Sequence, residues 1–212
     1  MTKVKICGLT TIEDALFASW VGADLLGLVF APGHRQVDIQ SASNIVRSVH
    51  SAAKNNEVVG VFVNTPADEV NRIARTCGLD RVQLSGDETW EYCLDIAYPI
   101  IKVIHITETM TASQVIAQVE NGLHMLSNRD WLCLLDTKIG NAYGGTGRTF
   151  DWSIAAEVAQ RFPVMIAGGL NPENVLKVIR DVSPLGVDVS TGVETEKRKD
   201  HGKIKAFIEA VK

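Results

Sequence analysis

Two residues at the tips of apolar runs have the chemistry to move protons. Cys7 closes the run Lys3-Val4-Lys5-Ile6-Cys7, and Asp136 closes Leu132-Cys133-Leu134-Leu135-Asp136. A cysteine in a strand is most often a small buried hydrophobe, and Cys77, Cys93 and Cys133 are read that way. At the C-terminal tip of a barrel strand the side chain can instead face the mouth, where a thiolate could act as a base. Asp136 reads either as a loop cap or as an acid. Acid work near neutral pH would need its pKa raised by burial or by a neighbouring negative charge such as bound substrate. Strand parity turns Lys5 inward beneath Cys7 and Asp188 inward beside Lys5. A buried Lys5–Asp188 pair is therefore expected under the site, its ammonium favouring the Cys7 thiolate.

A second group of residues suits an anion. Gly168-Gly169 and Ser190-Thr191-Gly192 follow two consecutive apolar runs, and glycine there lets main-chain N–H groups approach a phosphate without Cβ interference. Taken singly they are tight turns; taken together they occupy the two neighbouring positions where barrels hold phosphate. Arg35 is either a solvated loop cation or a fork for a substrate carboxylate. Gly144-Gly145-Thr146-Gly147-Arg148 could cradle phosphate, form a lid or anchor a loop, but it lacks the Lys-Ser or Lys-Thr of a nucleotide-binding P-loop.

These residues must be carried by a repeated strand-helix pattern. Strands are predicted at Lys3 to Gly8, Asp24 to Phe30, Glu57 to Asn64, Arg81 to Gly86, Ile100 to Ile106, Trp131 to Thr137, Pro163 to Gly169 and Gly186 to Ser190, with helices between them. Thr10 with Glu13 resembles a capping box, Thr65-Pro66 and Asn171-Pro172 read as helix starts, and Asp151 reads as a cap before Trp152. About eight such units in 212 residues fit one α/β domain over residues 1–212, a single (β/α)8 barrel. An open doubly wound sheet is the alternative, and the absence of a Gly-rich dinucleotide turn after the first strand favours the barrel. Cys7, Asn64, Ser85, Asp136 and both glycine turns then fall at or just beyond strand ends, with Arg35 in the loop after the second strand.

A net charge of −4 argues against a partner bound by neutralising many phosphates, so no nucleic acid is expected. No apolar run is long enough to span a bilayer, and the N-terminal stretch reaches Glu13 and Asp14 too soon for a secretory leader. Four scattered cysteines fit a reducing cytoplasm, and five histidines without zinc-type spacing predict no metal. Monomer and homodimer are both compatible with the sequence.

In order and spacing, Lys5-Ile6-Cys7-Gly8, Val59-Gly60-Val61-Phe62-Val63-Asn64, Val82-Gln83-Leu84, Leu135-Asp136-Thr137, Gly144-Gly145-Thr146-Gly147, Phe150-Asp151-Trp152, Ala167-Gly168-Gly169-Leu170 and Val187-Asp188-Val189-Ser190 resemble the phosphoribosylanthranilate isomerase family over nearly the whole chain. The resemblance implies an Amadori rearrangement without cofactor, an aldose-ketose isomerisation in tryptophan biosynthesis. Asp136 would be the general acid and Cys7 the general base. Arg35 would hold the anthranilate carboxylate, and Gly168, Gly169, Ser190, Thr191 and Gly192, with Gly145 nearby, the phosphate. The chain departs from the family pattern at Ser85, where a histidine is usual, in the loop Ala31-Pro32-Gly33-His34-Arg35, at Thr191, and at Glu196-Lys197-Arg198-Lys199, which is read as a solvated loop. The competing readings are a pentose-phosphate epimerase, the related isomerase of histidine biosynthesis and a catalytically silent phosphate-ligand barrel. The first would want metal-binding histidines at strand ends, and His105 is the histidine to check.

Overall fold

The computed structural model describes residues 2–52, 55–107, 109–139, 142–143 and 152–212. Eight parallel strands run through it: β1 (Lys3–Cys7), β2 (Leu25–Val29), β3 (Glu57–Phe62), β4 (Arg81–Leu84), β5 (Ile100–Ile106), β6 (Trp131–Ile139), β7 (Val164–Ile166) and β8 (Gly186–Val189). Each pairs with its sequence neighbours, and β1 pairs with β8 through Lys3↔Gly186 to Ile6↔Val189, which closes the barrel. Between and after the strands lie α1 (Ile12–Val21), α2 (Ile39–Ser51), α3 (Ala67–Cys77), α4 (Trp90–Leu94), α5 (Ala112–Met125), α6 (Trp152–Ala159), α7 (Val175–Val182) and α8 (His201–Val211). The predicted barrel is what forms, and the open sheet is excluded.

Strand parity divides the apolar residues into two cores. Leu25, Val59, Ile101, Val103, Leu134, Met165 and Ala167 pack together inside the barrel. A larger cluster, including Val4, Ile6, Leu26, Leu28, Val58 and Phe62, packs the outer face of the sheet against the helices. Strands covered on both faces need no apolar-polar alternation, which is why their sequences read as near-continuous Val, Ile and Leu. Each fully buried aliphatic side chain contributes about 1.5–3 kcal/mol relative to exposure. That rigidity is the scaffold on which the strand tips are held.

Several helix starts differ from expectation by a residue or in kind. Thr11, rather than Thr10, caps α1 by accepting from the Asp14 N–H, because one more residue is needed to turn out of the loop after β1. Thr65 does not cap α3, which begins after Pro66 with no side-chain cap. Asn171 accepts from the N–H groups of Glu173 and Asn174, closing a turn that precedes α7. Asp151 lies outside the described residues.

The largest departure follows β8. The stretch read as a solvated loop is a hairpin, β9 (Glu194–Thr195) paired antiparallel with β10 (Arg198–Lys199). Its two-residue turn puts Glu196 and Lys197 at φ 51° and 64°. Left-handed conformation at both central positions gives the twist a tight hairpin needs, but Asn and Gly normally signal it, so a charged pair concealed the turn. Lys199 is drawn inward by an ion pair with Glu194 rather than released to water.

Candidate active site

The strand tips converge on one cavity of about 420 Å³, to which residues on or just after all eight strands contribute. Cys7 stands on its β1 side and Asp136 on its β6 side. Around the barrel β8 and β7 lie between them one way and β2 to β5 the other, so thiol and carboxyl face one another across the mouth. Gly168, Gly169, Ser190 and Thr191 line the same space, as does Arg35. Gly145 and the rest of Gly144 to Arg148 lie outside the described residues.

Beneath Cys7 the expected pair is present. Lys5, fully buried, donates to both carboxylate oxygens of Asp188 at 3.0 and 3.1 Å. Burial alone would depress the ammonium's pKa, but the Asp188 carboxylate and the adjacent Cys7 outweigh it and raise the lysine above its ordinary value. Lys5 is therefore a fixed positive charge. Burial pushes the Cys7 thiol up, Lys5 pulls it down, Asp188 pushes it up again and Lys199 pulls it down, and the balance lies above the ordinary thiol range. The expectation that Lys5 favours the thiolate holds in sign, but desolvation exceeds it. Burial thus favours the thiol over the thiolate at Cys7.

The glycine turn after β7 places Gly168 and Gly169 at φ 94° and 66°, which orients two successive main-chain amides as only a left-handed turn does. The Asn174 side chain donates to the Gly169 carbonyl at 2.9 Å and ties that turn to the start of α7. After β8, Thr191–Val193 form one 3-10 turn. Gly192 does not itself line the cavity. A Cβ there would lie 1.8 Å from the Leu170 carbonyl oxygen, so its absence lets the two phosphate-type turns pack against each other.

Arg35 differs from a plain solvated or substrate-facing cation. Its Nε and Nη2 donate to the two carboxylate oxygens of Glu194 at 2.7 and 3.0 Å. Glu194 also accepts from Lys199 Nζ at 2.8 Å. Burial would raise the Glu194 carboxyl, but the hydrogen bonds from Arg35 and Lys199 hold it at about 2. Gly8 is part of the same arrangement, since a Cβ there would sit 2.3 Å from Arg35 Cδ. The glycine of the Lys-Ile-Cys-Gly opening thus makes room for the arginine stem.

On the opposite wall, Ser85 accepts from Gln83 Nε2 at 2.9 Å, and its carbonyl oxygen lies 2.9 Å from His105 Nε2. A carbonyl only accepts, so Nε2 carries the proton. His105 is the Cα partner of Asp136 in the β5–β6 register and lines the cavity with it. Asn64 serves the loops instead, accepting from the Asp87 N–H at 2.8 Å. Sequence reasoning missed Glu194 and Lys199, and the only signal for them was an acid and a base that a two-residue turn would bring opposite one another.

No group of His, Cys, Asp and Glu side chains suited to a metal occurs among the described residues, and no helix there is long and apolar enough to cross a membrane. The family model for N-(5'-phosphoribosyl)anthranilate isomerase matches residues 4–210. The isomerase of that name from Dehalococcoides mccartyi is 48% identical over 212 residues, spanning 100% of this chain and 96% of that one. The crystal structure of the Thermotoga maritima phosphoribosylanthranilate isomerase superposes with a TM-score of 0.83 at 37% identity, covering 99% and 98% of the two chains. A phosphoribosylanthranilate isomerase in complex with reduced 1-(o-carboxyphenylamino)-1-deoxyribulose 5-phosphate gives a TM-score of 0.80 at 36% identity, with the same coverage. The chain accordingly belongs to the N-(5'-phosphoribosyl)anthranilate isomerase family, the aldose-ketose isomerases of tryptophan biosynthesis.

Proposed function

We propose that Cys7 is the general base and Asp136 the general acid of the Amadori rearrangement of N-(5-phosphoribosyl)anthranilate. What carries this reading is that the thiol and the carboxyl face one cavity from opposite strands, with the amide-rich turns after β7 and β8 on a third side. Asp136 gives its proton to the furanose ring oxygen as the C1–O bond breaks, and the anthranilate nitrogen lone pair forms the C1=N bond. The resulting iminium withdraws electrons from C2, whose proton passes to the Cys7 thiolate, formed when the thiol gives up its own proton to solvent as the cationic substrate develops. The C2–H electrons form C1=C2, and those of C1=N return to nitrogen. The enaminol then gains a proton at C1 and loses one from the C2 hydroxyl, which yields the 1-deoxyribulose product with no net change in atoms. The substrate supplies its own electron sink, so the chain's task is to hold and exchange protons.

The iminium adds a positive charge in the cavity at the moment Cys7 must act. Together with Lys5 it favours the thiolate that burial disfavours. Gly168, Gly169, Ser190 and Thr191 are assigned to the phosphate, with Gly192 behind them. Gly145 joins them on the family resemblance alone. Arg35 is assigned to the anthranilate carboxylate. The reduced compound bound by the related isomerase carries the same phosphate and carboxylate ends. The protein is proposed to work in the cytoplasm, as monomer or homodimer, a choice that sedimentation decides.

The test is the loss of anthranilate fluorescence as substrate is consumed. Cys7→Ala and Asp136→Asn are each expected to lower kcat by about 10²- to 10⁴-fold while substrate binding changes little, since both act on protons in transition states. Full turnover in either variant rejects its role. Wild-type protein that binds substrate without turning it over would favour the silent barrel.

A further inference from the structure

The β9–β10 hairpin stands beside the cavity, and its two inward charges end on groups of the site. Glu194 is 8% exposed and Lys199 2%. Two non-glycine residues, Glu196 and Lys197, adopt left-handed backbone to bring them together. A surface hairpin with no further role would leave both side chains in water, where neither loses solvation.

Arg35 has two edges able to grip a carboxylate, one side-on through Nε and Nη2 and one end-on through Nη1 and Nη2. Glu194 takes the side-on edge with both oxygens. Among the described residues only Nε and Nη2 of Arg35 are engaged, and Arg35 lines the cavity. A guanidinium gripped along one edge loses its freedom to swing and offers the other edge in a fixed direction. Lys199, on the other side of Glu194, donates to the Ser190 carbonyl oxygen at 3.0 Å. In a trans peptide the carbonyl and the following N–H point in opposite directions. Lys199, together with the Val193 N–H that donates to the same carbonyl at 3.4 Å, therefore holds the direction of the Thr191 N–H, one of the amides assigned to the phosphate.

We propose that Glu194 and Lys199 are positioning residues of the substrate site. Glu194 presents the end-on edge of Arg35 to the substrate carboxylate, and Lys199 orients the Ser190–Thr191 peptide for the substrate phosphate. One hairpin thus sets both anchoring ends of the substrate, and Glu194 couples them because it holds both cations. The proposal rests on the isomerase reading of the cavity.

The experiment measures kcat and KM for phosphoribosylanthranilate, with inhibition by inorganic phosphate and by free anthranilate, in wild type, Glu194→Gln and Lys199→Met. Glu194→Gln is expected to raise KM at least tenfold with kcat within threefold, and to weaken anthranilate inhibition more than phosphate inhibition. Lys199→Met is expected to weaken phosphate inhibition at least fivefold and to leave anthranilate inhibition nearly unchanged. Should either variant fold poorly by circular dichroism, Glu194→Asp and Lys199→Arg keep the charges and should restore the wild-type inhibition pattern to within threefold. KM within twofold of wild type in both variants overturns the proposal. Equal weakening of both inhibitors in every variant does so too, because it marks a general loss of structure. Wild type without turnover refutes the isomerase reading instead.

Discussion

The two walls of the cavity carry different sets of side chains. On the β1–β8 side, Lys5, Asp188, Lys199, Glu194 and Arg35 form buried or half-buried ion pairs around Cys7. On the β4–β6 side the described lining residues are Gln83, Ser85, His105 and Asp136, with neither lysine nor arginine among them. Cys7, proposed as the base, has Lys5 and Lys199 near enough to favour its anion. Asp136, proposed as the acid, lines the other wall with Gln83, Ser85 and His105.

Removing the cation from the charged wall should have the largest effect. Lys5→Met leaves the Asp188 carboxylate buried without its partner, and the expected cost is about 3–5 kcal/mol, read from urea unfolding. Adding Asp188→Leu should recover most of that loss, because the penalty belongs to the unpaired charge. A Lys5→Met cost below about 1 kcal/mol would mean the pair is not the foundation of that wall. Gly192→Ala comes next. Its Cβ would meet the Leu170 carbonyl oxygen at 1.8 Å, so the two turns must separate. A loss of about 1–3 kcal/mol is expected, with a raised KM and little change in kcat. An unchanged KM would detach the β8 turn from phosphate binding.

The thiol sharpens the comparison through its pH dependence. Burial holds the Cys7 pKa above the ordinary thiol range despite Lys5. In the empty protein its alkylation by iodoacetamide should therefore keep rising past pH 9 without a plateau, given an ordinary thiol pKa of about 8.5. Below that ordinary value Cys7 is protonated in folded and unfolded chains alike and does not alter stability. Above it the unfolded chain gives up the proton more readily, so stability falls as pH rises. A plateau near neutral pH would show that the charged wall already holds a thiolate and that the substrate's iminium is not needed.

Much of this was legible in the sequence for a physical reason. Lys5, Cys7 and Asp188 lie on regular strands, where a side-chain period of two fixes which groups share the barrel interior. The strand-tip glycines could be placed for the same reason. Arg35, Glu194 and Lys199 lie in loops or in a hairpin that carries no Gly or Asn signal, and no periodicity there says which side chains meet. The pairing of Arg35 with Glu194 is invisible to such reasoning, because the two residues are far apart in sequence. Thr10 and Thr65 failed as caps by the same logic, since the residue at which a chain enters a helix is set by the loop before it.

The smallest effect is expected on the β4–β6 wall, at Ser85, where the resemblance leads one to expect a histidine. Ser85 sits one strand away from His105, which reaches its carbonyl oxygen and stands beside Asp136 in the β5–β6 register. The imidazole that Ser85 lacks is thus supplied to the same wall from β5. Ser85→His adds a second imidazole and removes the hydroxyl that accepts from Gln83. Its effect on kcat/KM should stay within about fivefold, or about 1 kcal/mol of transition-state stabilisation. His105→Ala should cost more than Ser85→His gains, because it strips that wall of its histidine. A tenfold gain from Ser85→His would reverse this order: the β4 position would then be the one that needs the imidazole, and His105 would be no substitute for it.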